Sequence, residues 1–483
     1  MSVATEIERL IAVKAAIRAG IEAKGVPVAV GLMLTDYAAK IGLISTGSTG
    51  WAKPAEWIDI SSVANNEINL LATDGNGIAF AVRTASGNYS IDWGDGTIET
   101  ERTSTTTYQH QYNGTGGTWC PTLGYMVYKV RIYGATGNIT RFQMKRHTYT
   151  LNNQYQMILW AVFGTVSITD YSYTFSDTSL YLANLVACTI PSFVSCTTTI
   201  SMFNGCSSLV SVDLPASWGS VINAYSMFMG CTALISITIP SSWGNIINIY
   251  NIFSGCSAII SITIPSSWGS VNNVSGMFNG CIRLVTIILP ASCGSITDMS
   301  NMLNGCSSLI SITMPTSWDN VQYTIGMIRN CTALISITLP AGFGKITDAT
   351  KMIYFCTSLK TITNINYLGS IISQCIMTDV ISNCEMLLQN ISIGSRLSSF
   401  GAYGFSGIGI KLNSLRLTNT GSTFTGSSPH VNVSYTSMDA AALNLLFGDL
   451  PTLVGKTINI TGCLGAATCT RSIATAKGWT ITG

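Results

Sequence analysis

Chemistry needs reactive groups brought together, and few are available here. The three histidines, at 110, 147 and 430, are far apart and in regions of different composition. No G-x-S-x-G elbow, H-E-x-x-H pair or phosphate-cradling loop occurs, and Gly75-Asn76-Gly77 does not continue as a dinucleotide fingerprint. Carboxylates able to cleave a glycosidic bond would have to come from Asp213, Asp298, Asp319 or Asp348. Asp298 and Asp348 share a repeat position two units apart, which puts them roughly 10 Å from each other in a stack of sheet-spaced coils. That is the far end of the range for an inverting pair. Asp92, Asp95 and Glu99 are near one another in sequence but lack the D-x-D-x-D-G run of a calcium loop, so turn roles are expected. No catalytic residue, metal or cofactor is expected, and the chain reads as a non-enzyme.

Cysteine has the most regular spacing. Of 15 cysteines, Cys206, Cys231, Cys256, Cys281, Cys306, Cys331 and Cys356 follow one another at steps of 25 residues, with no C-x-x-C pair anywhere. Pro215, Pro240, Pro265, Pro290, Pro315 and Pro340 keep the same step, as do Trp218, Trp243, Trp268, Cys293, Trp318 and Phe343. A fixed period of this size means stacked supersecondary units, none able to bury its apolar side alone. A thiol at one place in every unit predicts a buried, reduced column. The tryptophan row could stack on sugars if exposed. A large side chain beside Pro and Gly at each turn is instead expected to fill a corner.

Within each unit L-x-x-I-x-I-P reads as a strand. Leu234, Ile237 and Ile239 point in while Ser236 and Thr238 point out, because side chains alternate, and Pro240 ends the strand. The outward positions form a lawn of hydroxyls. Ser211, Ser236, Ser261, Thr286, Ser311 and Ser336 make one row, and Thr238, Thr263, Thr313 and Thr338 the next, broken by Asp213 and Ile288. Ser236, Thr238, Ser261, Thr263, Ser311, Thr313, Ser336 and Thr338 are the candidate binding residues for a neutral, repetitive ligand such as a glycan. The alternative is that they merely solvate a sheet face.

Composition sets the limits. Hydrophobic residues make up 47% and charged residues 10% of the 483, and the net charge is +2. Between Thr199 and Gly344 the charged residues are Asp213, Arg283, Asp298, Asp319 and Arg329, too few for a nucleic-acid groove. No apolar run approaches the roughly 20 residues of a spanning helix, so no membrane insertion is expected. Glu6, Glu8 and Arg9 interrupt the stretch where a secretion signal would be apolar, so no signal peptide and a reducing compartment of synthesis are expected.

Five regions follow. Residues 1–46 carry a helical stripe, Val3, Ile7, Leu10, Ile17 and Ile21, with a second short helix near Thr35–Ile41, and read as an anchor or oligomerisation segment before the linker Ser45–Gly50. Residues 47–150 alternate, as in Ile78–Val82 and Tyr125–Tyr133, with Tyr89–Thr97 running into an Asp-Gly turn. Residues 151–184 read as a transition capping the first coil, and 185–365 as the strict repeats. Residues 366–483 read as irregular repeats and a cap: strands at Leu388–Ile393, Leu412–Leu417, Val431–Val433, Lys456–Ile460 and Trp479–Ile481, with helices over Met438–Leu450, capped by Ser437, and Ala467–Lys477.

Four resemblances add to this reading. Trp93-Gly94-Asp95-Gly96 followed by His110-Gln111-Tyr112 resembles the PKD-type β-sandwich, which implies a small immunoglobulin-like spacer. The order of Ile21–Val28, Asp36-Tyr37, Trp51-x-x-Pro54-x-x-Trp57 and Tyr89–Thr97 is similar to the N-terminal part of bacteriophage virion proteins. The ending, Ala442–Phe447, Gly455–Gly462 and Ile473–Trp479, resembles phage and prophage repeat proteins. Met202-Phe203-Asn204-Gly205-Cys206 and its copies resemble the leucine-rich repeats of bacterial surface antigens and mycoplasma lipoproteins, implying a right-handed solenoid with a continuous parallel sheet.

The expected fold is therefore mainly β: a helical anchor, an immunoglobulin-like sandwich, a leucine-rich-repeat solenoid and a strand–helix cap. The expected role is a non-enzymatic virion structural protein, a head or tail fibre made in the host cytoplasm and displayed on the virion surface. Residues 1–46 would meet other virion proteins, the chain would form a homo-oligomer such as a trimer, and the solenoid would reach a host glycan. A bacterial surface adhesin is the alternative, and a polysaccharide-degrading tailspike the third reading.

Overall fold

The structure, a computed structural model, describes residues 58–73, 78–103, 107–112, 115–120, 125–134, 139–144, 158–176, 185–343, 345–364, 380–384, 388–393, 411–417 and 431–483. The expected anchor helix with Val3, Ile7, Leu10, Ile17 and Ile21, the second short helix, the linker, His147 and His430 lie outside these residues.

The first part is built from β1 (Glu67–Thr73), β2 (Ile78–Thr84), β3 (Tyr89–Asp92), β4 (Ile98–Arg102), β5 (Thr107–His110), β6 (Thr118–Cys120), β7 (Tyr125–Gly134) and β8 (Ile139–Met144). The alternation in β2 buries Ile78, Phe80 and Val82 and leaves Arg83 exposed, the signature of a strand with one covered face. β2 sits between β5 and β8 in a three-stranded antiparallel sheet. Facing residues of the other sheet, Tyr89, Ile91, Trp93, Tyr128 and Val130, share its core.

That other sheet does not stop at the sandwich. It has eight strands, in the order β11-β10-β9-β1-β7-β3-β4 with β6 on β7, where β9 is Ile158–Phe163, β10 Ala187–Thr189 and β11 Ser211–Asp213. β9 runs antiparallel to β1, with Ala161 opposite Leu70, and parallel to β10, with Ala161 opposite Cys188. One strand thus belongs to the antiparallel sandwich on one edge and to the parallel stack on the other. Its sequence, Ile-Leu-Trp-Ala-Val-Phe, is buried throughout, as a strand covered on both faces requires. A second apolar cluster, with Ile60, Leu71, Val127, Leu159, Trp160 and Ala187, closes the far face of this junction.

In the repeats, the continuous parallel sheet expected along L-x-x-I-x-I-P is interrupted. Three-residue ladders pair 187–189 with 211–213, 286–288 with 311–313, and 336–338 with 361–363. The equivalent segments at 236–238 and 261–263 join no ladder. The unbroken element is another part of the coil. Parallel bridges run Asp170–Thr198–Asn223–Asn248–Asn273–Asp298–Tyr323–Asp348 without a gap. Beside them the N–H groups of Thr199, Ser201, Phe203 and Gly205 donate to the carbonyls of Asn223, Tyr225, Met227 and Met229 in the next coil, and the coils that follow repeat the pattern. This wall needs left-handed backbone at two places per coil. Gly205, Gly230, Gly255, Gly280 and Gly305 supply one, with φ between 73° and 79°.

Columns of identical side chains fill the coil interior. Phe175, Phe203, Phe228, Phe253 and Phe278 stack at 5.2–5.8 Å between neighbours, nearly parallel. Trp218, Trp243 and Trp268 stack at 5.9 and 6.4 Å.

Helix is scarce: among the described residues it is limited to α1 (Ala440–Asp449) and α2 (Ser472–Thr475). Asp439, not Ser437, caps α1, its carboxylate accepting from the Ala442 N–H at 2.8 Å. The helix expected over 467–477 reduces to α2, because the chain around it is a series of tight turns. Strands 431–432, 456–459 and 479–482 continue the parallel stack to the end of the described residues. Arg416 clamps Asp449 with two hydrogen bonds, at 2.6 and 2.9 Å, and so joins the strand 411–417 to α1.

Candidate functional site

The residues singled out for chemistry are held by turns and by packing. In the sandwich, Asp92 accepts from the Gly94 N–H and Asp95 from the Thr97 N–H, which shapes the Asp-Gly turn. The other Asp95 oxygen meets His110 Nε2 at 2.7 Å, while the His110 ring lies flat on Trp93 at 4.7 Å. Burial alone would raise the Asp95 pKa. The Thr97 and His110 hydrogen bonds outweigh it and hold the carboxyl below its ordinary value. Glu99 accepts from the Trp93 indole and pairs with Arg102. Tyr112 reaches the Trp93 carbonyl with its hydroxyl and stacks on Tyr128. The W-G-D-G and H-x-Y elements therefore pack on one another, and each carboxylate already has a partner.

In the repeats, Asp298 and Asp348 accept from the N–H two residues on, at Ser300 and Thr350. Asn248, Asn273 and Asp170 do the same in their coils. Tyr323 occupies the rung between Asp298 and Asp348. These carboxylates are members of a turn column, not a facing pair. Asp319 accepts from Ser317 within its own turn.

The cysteine column is inside. Cys206, Cys231, Cys256, Cys281, Cys306, Cys331 and Cys356 are fully buried, and every described cysteine is free. Their thiols donate to carbonyls of the preceding coil: Cys231 to Phe203, Cys256 to Phe228, Cys281 to Phe253, at 3.0–3.2 Å. This bond was not legible in the sequence; the period showed the column but not the acceptor. Burial pushes the thiols of Cys196 and Cys293 up to about 12 and those of Cys206, Cys231, Cys281 and Cys306 well up too. For Cys356 the hydrogen bond with Cys331 leads, and burial adds to it. Trp218, Trp243, Trp268 and Trp318 are at most 2% exposed, so no sugar can stack on them.

The strand-face hydroxyls are at the surface. Thr238, Thr263, Ser311, Thr313, Ser336 and Thr338 are exposed, and Ser236 and Ser261 half-buried. Ile288, 69% exposed, and Asp213, which accepts from Thr189, break the row. The contrast with other hydroxyl rows is informative. Thr232, Ser257, Ser307 and Thr332, just after the cysteines, donate to the carbonyl one coil back, as do Thr297, Thr316 and Thr347 at the corners. The hydroxyls of Thr238, Thr263, Thr313 and Thr338 make no hydrogen bond with another described residue. Spacing could not separate the two classes of hydroxyl; direction relative to the coil axis does.

Among the described residues no helix is long and apolar enough to cross a membrane. In comparisons with known proteins, the model of the BspA-type leucine-rich repeat region matches in six copies over residues 159–250, 220–360 and 275–411. Of solved structures, a leucine-rich repeat protein of T. pallidum matches at 20% identity with a TM-score of 0.23, over 39% of this chain and 91% of that one. A leucine-rich repeat protein of Bacteroides ovatus matches at 16% identity with a TM-score of 0.19, over 56% of this chain and 95% of that one. No curated protein matches. The matched repeats span more than half of the sequence, and the chain belongs to the BspA-type leucine-rich repeat family.

Proposed function

We propose that this chain is a non-enzymatic, surface-displayed attachment protein whose solenoid binds a repetitive neutral glycan across its Ser/Thr face. The observation that carries the reading is the set of hydroxyls at Thr238, Thr263, Thr313 and Thr338, exposed and unengaged while neighbouring hydroxyl columns are committed to coil contacts. The face holds almost no charge, so its ligand is one that neither needs nor supplies an ion. Each contact is weak, and strength comes from repetition along the face and from many displayed copies. The repeat family supports display on a bacterial cell surface, because its repeats resemble those of surface antigens. The test is to replace Thr238, Thr263 and Thr313 with lysine and measure adsorption of protein-coated beads to target cells. Adsorption should fall at least tenfold with the fold intact; unchanged adsorption removes recognition from this face.

A second reading, a bacteriophage head or tail fibre, is favoured by the order of Ile21–Val28, Asp36-Tyr37, Trp51–Trp57 and Tyr89–Thr97. In it, residues 1–46, with Val3, Ile7, Leu10, Ile17 and Ile21, dock on other virion proteins and assemble copies of the chain. The sandwich is then a PKD-type spacer, a kinship supported by the stacking of His110 on Trp93 and its bond to Asp95. A chain starting at Gly47 should fold yet be missing from purified particles. Normal incorporation rules this reading out.

A further inference from the structure

In one coil the repeat breaks its own rules at both left-handed positions, and the breaks are neighbours in space. At one left-handed position, after Tyr173 in the first coil, successive coils carry Ser201, Ser226, Asn251, Gly276, Asn301 and Gly326, and then Lys351, with φ of 54°. At the other, five glycines and Asn330 give way to Phe355, with φ of 58°. A bulky residue in this region costs about 1–3 kcal/mol and persists where something else selects for it. Between these two lies Tyr354, one coil on from Arg329 in a parallel ladder that ties 328–329 to 353–354 and 381–382. Those rungs fix the cluster on the element that carries the left-handed positions.

Two cations and two aromatic rings meet there. The Arg329 guanidinium is 5.5 Å and the Lys351 ammonium 5.3 Å from the centre of the Tyr354 ring. Phe355 lies 5.3 Å from the same ring and is 43% exposed. Neither cation forms an ion pair with a described residue, and Arg329 Nε is buried without a hydrogen-bond partner. Beside them Asn330 donates to Asn304 and extends an amide row that continues to Asn279.

We infer that Arg329, Lys351, Tyr354 and Phe355 form a binding site for a carboxylate-bearing sugar ring, a uronic acid within an acidic glycan. The chemistry matches part by part. The apolar C–H face of a pyranose packs on an exposed aromatic ring, its carboxylate is taken by an arginine and a lysine that form no ion pair with another described residue, and its hydroxyls meet an asparagine row. The site shares no residue with the neutral face and answers to salt.

The probe is a short oligogalacturonate titrated calorimetrically into the full chain, with a neutral oligoglucan and inorganic tripolyphosphate as comparisons. Oligogalacturonate should bind, weaken at least fivefold between 50 and 500 mM salt, and exceed both comparison ligands. Lys351→Asn and Phe355→Gly install residues that other coils carry at these positions, as at Asn301 and Gly305. They should raise the melting temperature while weakening binding at least fivefold each, and Arg329→Gln should weaken it without lowering the melting temperature. Thr238→Lys should leave this binding unchanged, which separates the site from the neutral face. No binding by the native chain, unchanged binding in the variants, or equal binding of tripolyphosphate would each overturn the assignment. So would a lower melting temperature in both back-to-repeat variants, because the strain argument would then be wrong.

Discussion

A cysteine in every coil looks, at the level of residues, like a reactive or disulfide-forming array and is neither. Each thiol is a small apolar plug that also donates to a carbonyl of the coil before it. Native protein should therefore react with almost no thiol reagent, whereas denatured protein should titrate close to its full 15 cysteines. A mass map with disulfides between neighbouring coils would contradict this. The same burial sets a pH limit. A thiol whose pKa is raised on folding holds its proton where the unfolded chain has lost it. Its stabilisation is complete below the unfolded thiol value, about 8.5, and is lost as pH rises toward the folded value. Each deeply shifted thiol, Cys206, Cys281 and Cys306 among them, removes up to about 1.4 kcal/mol per pH unit in that window. Melting temperature followed from pH 8 to 11 should fall steeply; a flat profile would mean the thiols are not buried as described. Tryptophan is a second case. That the row at Trp218, Trp243, Trp268 and Trp318 fills corners was legible from Cys293 and Phe343 at the same position. That the indole N–H groups have no hydrogen-bond partner was not, because it depends on ring orientation. Trp268→Phe, which removes an unpaired donor and installs the residue found at 343, should change stability by no more than about 1 kcal/mol in calorimetry. A loss much beyond that would show that the indole N–H is satisfied.

Among the elements, period and alternation are legible in the sequence and pairing is not. Ile237 and Ile239 are buried and Thr238 is exposed, as side-chain alternation demands. Alternation says which way a side chain points but not whether two backbones lie close enough to exchange hydrogen bonds, and segments 236–238 and 261–263 do not form a ladder. The stack is held instead by the wall ending in Met-Phe-x-Gly-Cys, where N–H groups donate to the next coil at every second residue. Glycine and asparagine in that stretch were visible in the sequence, but only backbone geometry shows two left-handed positions per coil. Asn251, with φ of 55°, should tolerate glycine, the residue at 276 and 326, and resist valine by about 1–2 kcal/mol. Paired chemical-denaturation curves give both numbers, and equal tolerance of the two would contradict the left-handed assignment. At the C-terminal end the helix is limited to 472–475, shorter than the 467–477 that the sequence predicts: its alanines favour helix, but hydrogen bonds spanning three residues tighten the chain into turns.

As a whole, the molecule joins two architectures through one strand. The sequence divides the sandwich from the repeats by composition, and nothing in residues 158–163 says that they serve both. Their uninterrupted burial shows it: β9 pairs with the sandwich on one edge and with the first coil on the other. A separate spacer would melt by itself. Here, replacing Ala161, in register with both Leu70 and Cys188, with proline should destabilise sandwich and first coils together, seen as loss of hydrogen-exchange protection on both sides of the strand. Loss on one side alone would mean that the two parts are mechanically separate. A stiff mount of this kind suits a protein that presents one face outward.

That face carries the central claim, and equilibrium binding to a panel of neutral polysaccharides, at 50 and 500 mM salt, tests it most directly. The account predicts binding whose Kd changes less than twofold between the two salts, because few ions are displaced or screened. It also predicts at least a tenfold loss in the Thr238→Lys, Thr263→Lys, Thr313→Lys variant. Absence of binding to any neutral glycan, or binding that collapses with salt and ignores the three substitutions, would contradict it.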